Sequence, residues 1–105
     1  MPLTNGFASP ATLADHYNRH KAEFGGPLPR SAYLALADAF LGGPCPPDTL
    51  ECVRSLGDVL RYNVATFEFG ILKPGRIIRT YFRPTPDWHK LATNEDYFYQ
   101  ECSRY

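Results

Sequence analysis

The sequence predicts an α+β domain in which two N-terminal helices pack on a three- to four-stranded antiparallel sheet, with a short C-terminal helix. In the first half, apolar residues recur at helical spacing; in the second half, runs rich in β-branched and aromatic residues are joined by short turns. The chain has 105 residues, the length of one domain. We therefore expect a single domain over residues 1–105, with residues 1–8 as a flexible lead-in.

Capping residues delimit the helices. Ser9-Pro10 is typical of a helix start, and Gly25-Gly26 stops the first helix. A second helix is expected over about residues 31–41, followed by a proline-rich loop at residues 44–48. Thr93-Asn94 is a possible cap for the short closing helix.

The strands are predicted from composition and turn residues. Residues 58–64, 66–73 and 76–83 are dense in β-branched and aromatic side chains, and residues 49–54 form a strand or a turn. Pro74-Gly75 supplies the turn of a hairpin, and so short a link makes the strands that it joins antiparallel. The two amphipathic helices are the available cover for one face of the sheet.

Composition narrows the class of protein. No apolar run approaches the ~20 residues that span a bilayer, and residues 1–9 lack the features of a signal peptide. The formal net charge is zero, but residues 54–90 hold seven Lys or Arg against three acids. Such a local basic field suits a phosphate-binding surface, although a solvated strand face explains it equally well.

The three cysteines, Cys45, Cys52 and Cys102, have no metal-ligand spacing, so a structural zinc site is not expected. The favoured interpretation is unpaired, inert thiols. The alternative is one disulfide, between Cys102 and either of the other two.

The first helix carries His16 and His20, one turn apart. Two imidazoles at this spacing can face one site, where they hold a metal or act as base and acid. Zinc binding lacks further ligands, because no H-E-x-x-H motif occurs. The competing interpretation is that a histidine on an apolar stripe is a hydrogen-bonded core residue.

Strand alternation divides residues 76–83 into two faces. It predicts Ile78, Thr80 and Phe82 on the face that the helices cover. It predicts an exposed face formed by Arg79, Tyr81 and Arg83. Arginine and tyrosine together suit an anionic ligand, and the alternative is a charged strand that resists aggregation.

These side chains match the needs of RNA cleavage. RNA supplies its own nucleophile, the 2′-OH, so an enzyme needs a base, an acid and cations to stabilise the phosphorane. Histidine suits the first two roles near neutral pH, and arginine and threonine suit the third. No metal or cofactor is then required. Paired carboxylates for glycoside hydrolysis, a Gly-rich phosphate loop and a G-x-S-x-G elbow were not identified.

Four segments, in order along residues 12–98, resemble the C-terminal toxin modules of bacterial polymorphic and contact-dependent inhibition toxins. They are Asp15-His16-Tyr17-Asn18-Arg19-His20 with Glu23-Phe24-Gly25; Gly57-Asp58 to Glu68-Phe69-Gly70; Gly75 to Pro84; and His89 with Thr93-Asn94-Glu95-Asp96-Tyr97-Phe98. Lys21 departs from the pattern, since glycine is common at that position.

The resemblance implies the fold shared by barnase, the EndoU nucleases, certain colicins and RelE. It implies metal-independent cleavage of RNA, often tRNA, to a 2′,3′-cyclic phosphate, by a toxin that a bacterium secretes or delivers into the cytoplasm of a target cell. It also implies a cognate immunity protein as partner, so the chain is expected as a monomer or as a heterodimer with that protein. The implied active-site set is His16, His20, Arg79, Thr80 and His89. The expected RNA contacts are Tyr81, Arg83, Arg61, Tyr62 and Lys73.

Two other functions remain open from the sequence. One is a non-catalytic module that binds RNA or protein through the Arg79/Arg83 face, and the other is a phage-derived structural domain. The sequence does not indicate which histidine is the base, and His89 has an alternative role in pinning the tail.

Overall fold

The computed structural model describes residues 2–25 and 27–104; the predicted stop at Gly25-Gly26 lies partly outside them, at Gly26. Helix α1 spans Pro10–His20, and the Ser9 hydroxyl accepts the backbone N–H of Thr12, as the predicted cap requires. A 3₁₀ turn, Lys21–Phe24, continues it to Gly25, whose φ of 69° suits glycine. Helix α2 spans Arg30–Gly42 and buries Tyr33, Ala37, Phe40 and Leu41.

A four-stranded antiparallel sheet follows, in the order β1-β2-β3-β4. Its strands are β1 (Thr49–Val53), β2 (Val59–Asn63), β3 (Phe69–Lys73) and β4 (Ile77–Phe82). Strand β3 begins three residues later than expected because the Asn63 side-chain oxygen accepts the backbone N–H groups of Ala65 and Thr66, at 2.8 Å each, and holds this segment as a turn. Pro74-Gly75 forms the expected turn between β3 and β4.

Strand β4 contains a β-bulge that overturns the predicted division of its faces. Thr80 pairs with Ile71, and Ile78 pairs with Leu72, so Arg79 is an extra residue in β4. As a result, Ile78 and Tyr81 join the cluster under α2, whereas Phe82 joins the cluster on the opposite side. The prediction that Tyr81 is exposed was wrong, since the side chain is completely buried.

The opposite side of the sheet is covered by the C-terminal segment. Helix α4 (Asn94–Cys102) begins at the predicted cap, Thr93, and packs Tyr97 and Phe98 against β2 and β3. A short helix that was not predicted, α3 (Pro86–His89), precedes it. Cys52 of β1 and Cys102 of α4 form a disulfide, so the favoured interpretation of unpaired thiols was wrong. Cys45 is free and exposed.

Residues 3–7 pack against α2 and β4, although a flexible lead-in was expected over residues 1–8. Thr4 and Phe7 are buried, and the Asp38 carboxylate accepts the backbone N–H groups of Leu3 and Thr4. Phe7 forms a parallel bridge with Ile78 of β4. The signal that was missed is Phe7, the one aromatic residue in this segment, which packs beside β4 in the cluster under α2.

The α+β class and the arrangement of helices and sheet are thus confirmed. Among the described residues, no helix combines the length and the apolar character needed to cross a bilayer. Helix α1 lies along β4, with one side against the cluster under α2 and its histidines beside Thr80 and Phe82. This position defines the candidate site.

Candidate active site

The two histidines of α1 lie together beside β4. Their ring centroids are 6.0 Å apart, and Nδ1 of His16 lies 3.5 Å from the Thr80 hydroxyl oxygen. The His20 ring stacks on Phe82 at 5.0 Å between centroids. The i, i+4 spacing therefore does bring both imidazoles to one place, together with Thr80.

His16 is half-buried beside Phe7, at 5.2 Å between ring centroids. Burial lowers the pKa of His16 from its ordinary 6.5, with smaller contributions in the same direction from Arg19 and His20 and an opposing one from Asp15. The lowered pKa of His16 favours the neutral ring at pH 7.

Glu23 holds His20 in place. Its carboxylate lies 2.7 Å from Nδ1 of His20 and also accepts the backbone N–H of Arg83 at 2.8 Å. A carboxylate on Nδ1 fixes the ring orientation and leaves Nε2 to exchange a proton with a ligand. Glu23 was not among the predicted site residues, although it lies in the Glu-Phe-Gly motif that closes the helix.

Arg79 lies on the same side of the sheet as Thr80. Its guanidinium is 3.6 Å from the Asp58 carboxylate, and Asp58 also binds Arg54, which in turn donates to the backbone of Glu101 in α4. About half of the Arg79 side chain is exposed. The β-bulge produces this arrangement, because strict alternation would place Arg79 and Thr80 on opposite faces.

His89 serves the C-terminal segment. Its Nδ1 accepts the backbone N–H of Leu91 at 3.1 Å, and its Nε2 lies 2.8 Å from the side-chain oxygen of Asn94. The ring also stacks on Tyr97 at 4.9 Å between centroids. Both ring nitrogens of His89 are thus engaged within the C-terminal segment. This is what the alternative role, in which His89 pins the tail, requires.

Three of the expected RNA contacts are packed inside the protein. Tyr62 and Tyr81 are buried, and the Tyr81 hydroxyl donates to the Glu68 carboxylate. Arg61 is also buried and donates to the carbonyl groups of Phe40 and Gly43. The expectation failed because alternation and charge do not reveal which basic or aromatic side chains fill the core.

Arg83 and Lys73 remain partly exposed. The Arg83 guanidinium donates to the Glu23 carbonyl at 3.1 Å and lies over the Phe24 ring. Lys73 ends β3, at the hairpin turn. In the predicted Arg79/Arg83 face, Arg79 is therefore half-exposed, whereas Arg83 is held against the 3₁₀ turn that follows α1.

A surface pocket of about 490 Å³ opens beside His20. Its walls come from α1, β4 and α3 and comprise Arg19, His20, Glu23, Phe82, Arg83, Thr85 and Trp88. A larger pocket of about 620 Å³ lies between the N-terminal segment and α2, away from the histidines. Chemistry, not size, identifies the first as the candidate site, because it combines an imidazole, its carboxylate and cations.

No protein-family model and no curated protein matches this sequence. What the site can do therefore rests on its own side chains. Within residues 2–25 and 27–104, no three or more His, Cys, Asp or Glu side chains are grouped so as to hold a metal ion. The ionisable groups that line the pocket beside His20 are one imidazole, one carboxylate and two guanidinium groups.

Proposed function

We propose that this protein is a metal-independent endoribonuclease that cleaves RNA, with tRNA as the favoured class, to a 2′,3′-cyclic phosphate. The observation that carries the proposal is the pairing of His16, beside Thr80, with His20, bound to Glu23, at one edge of the sheet. These are two separately held imidazoles within reach of one ligand. The resemblance of the sequence to bacterial toxin modules supports the same function.

His16 acts as the general base. It accepts the 2′-OH proton as the 2′ oxygen attacks phosphorus, and its lowered pKa keeps it unprotonated at neutral pH. The 3.5 Å contact with Thr80 is long, but catalytic hydrogen bonds commonly tighten around the substrate.

His20 acts as the general acid. It gives a proton to the 5′ oxygen as the bond between that oxygen and phosphorus breaks, which leaves a 5′-hydroxyl and a cyclic phosphate. Glu23 on Nδ1 orients the ring so that this proton leaves from Nε2. Glu23 is thus a positioning residue in this mechanism.

Thr80 and Arg79 stabilise the phosphorane. A hydroxyl and a guanidinium on one side of β4 supply a hydrogen-bond donor and a positive charge to its equatorial oxygens. The Arg79 side chain is half-exposed and lies 3.6 Å from Asp58, whose buried carboxylate keeps Arg54 as a closer partner at 2.8 Å, so a phosphate can compete for the Arg79 guanidinium.

The biological role that we propose is interbacterial competition, by a toxin that is secreted or delivered into the cytoplasm of a target cell and neutralised by an immunity protein. The Cys52–Cys102 disulfide supports exposure to an oxidising compartment, because such bonds are rare in proteins that stay in the cytosol. An immunity protein that covers the pocket would block access to His20.

The test is cleavage of a defined tRNA by the purified chain in EDTA, with the product ends analysed for 2′,3′-cyclic phosphate. His20→Gln should lower the rate by about 10²- to 10⁴-fold, the usual contribution of a general acid. Asn18→Ala, an exposed change on the same helix, is the matched control. Intact RNA at micromolar protein refutes the proposal. Salt-sensitive RNA binding without cleavage would instead support the non-catalytic use of the Arg79/Arg83 face.

A further inference from the structure

We propose that Trp88 is the stacking platform for a nucleobase of the substrate, in the pocket next to His20. The identity of the ligand as RNA rests on the proposed function. The Trp88 side chain is 59% exposed although it lines the same pocket as His20 and Phe82. The Trp88 indole and the His20 imidazole thus line the same pocket, so a base stacked on Trp88 would lie beside the proposed general acid.

Trp88 is oriented by two T-shaped ring contacts. Its ring centroid lies 5.3 Å from that of Phe82 and 5.4 Å from that of Tyr97, at interplanar angles of 83° and 67°. Contacts of this kind orient an aromatic ring, and more than half of the Trp88 side chain stays exposed beside them. The open surface of the indole is therefore available to a second flat ring.

The short helix α3 fixes the backbone under this ring. The Thr85 carbonyl accepts the backbone N–H groups of Trp88 and His89, and Lys90 ends the turn at a φ of 67°. His89 anchors the turn through Tyr97, Asn94 and the Leu91 backbone. His89 is thus a positioning residue for Trp88, and a preformed platform loses little freedom when a ligand binds.

Charge on the pocket wall favours a nucleotide over an uncharged aromatic ligand. Arg19 and Arg83 line the pocket, while the Glu23 carboxylate is already bound by His20 and the Arg83 backbone. The Arg19–Asp15 ion pair is more than half exposed on both sides, so Arg19 can turn to a phosphate at small cost. A base on Trp88 and a phosphate on Arg19 would use both kinds of contact.

Trp88 is the only tryptophan of the chain, so its fluorescence reports on this pocket alone. The probe is a short 2′-O-methyl RNA, which cannot be cleaved by 2′-OH attack and therefore separates binding from catalysis. We expect saturable quenching of Trp88. By anisotropy of a labelled probe, Trp88→Ala should weaken binding roughly 5- to 150-fold, the range for loss of one base stack.

Trp88→Phe keeps a flat ring and should retain most of the affinity. Tyr99→Ala is the matched control, because Tyr99 is 58% exposed on α4 and does not line the pocket. If the probe quenches Trp88 fluorescence but the protein leaves tRNA uncleaved, the result supports the stacking platform and refutes the ribonuclease. Cleavage of RNA without quenching, or equal binding by Trp88→Ala and Tyr99→Ala, would overturn the platform and leave the ribonuclease standing.

Discussion

The Cys52–Cys102 disulfide ties the outer strand β1 to helix α4 across a sequence separation of 50 residues. A cross-link stabilises a protein mainly because it removes conformations from the unfolded chain, more so for a longer loop. A loop of about 50 residues corresponds to about 14 cal/mol/K, or about 4 kcal/mol at 25 °C. A domain of this size commonly has only about 5–15 kcal/mol in total.

We therefore expect reduction to lower the melting temperature substantially. At about 4 °C for each kcal/mol, the shift should be about 15 °C or more. The measurement is thermal unfolding by circular dichroism, with and without dithiothreitol, and of the Cys52→Ser/Cys102→Ser double variant. Cys45→Ser is the control, since Cys45 is exposed and unpaired.

A shift below about 4 °C in both the reduced protein and the double variant would refute the reasoning, because it corresponds to no more than about 1 kcal/mol. Titration of thiols in the unreduced, denatured chain should give one, from Cys45. If dithiothreitol lowers the melting temperature more than the double substitution does, the reductant acts at a site other than the Cys52–Cys102 bond. The outcome also bears on the proposed role, because a toxin that acts in a reducing cytoplasm must stay folded without this bond.

Other predictions concern the site and the buried arginine. Glu23→Gln should lower the cleavage rate about 10-fold or more through loss of the carboxylate on His20, with an unchanged melting temperature as the control. The pKa of His16 in the folded state lies below 6.5, so the unfolded state takes up the proton first as the pH falls. The free energy of unfolding, measured by urea titration, should therefore decrease below pH 6.5. The decrease should be smaller in His16→Asn. Arg61→Ala should lower the free energy of unfolding by about 3 kcal/mol, because the buried carbonyl groups of Phe40 and Gly43 lose their donor, whereas Lys73→Ala should change it by less than about 0.5 kcal/mol; equal effects would contradict this distinction.

Most of the fold could be predicted because its signals are local. Ser9 and Thr93 cap helices through contacts within one turn, and Pro74-Gly75 forms a hairpin turn whatever lies around it. Features that depend on distant residues escaped. The position of Phe7 depends on its bridge with Ile78, which lies far away in the sequence. The sequence also left the disulfide partner of Cys102 open between two cysteines.

The candidate site divides in the same way. The spacing of His16 and His20 is a property of one helix and could be predicted, whereas the burial of Arg61, Tyr62 and Tyr81 is set by packing across the sheet. Glu23 could have been found from the sequence, because a carboxylate three residues after a histidine near a helix end can reach its ring. Trp88 was not identified because the short helix α3 that carries it was not predicted from the sequence.

The bulge at Arg79 resolves a conflict that alternation creates. In a regular strand, Arg79 and Thr80 face opposite sides, and they cannot both act on a phosphate held by the histidines. With one residue inserted, the Arg79 guanidinium reaches Asp58 on the α4 side, where Thr80 meets His16. Bulges are common beside active sites because they redirect a side chain at the cost of one ladder position. The irregularity that defeated the prediction from sequence is therefore what brings Arg79 and Thr80, two members of the proposed catalytic set, to one side of the sheet.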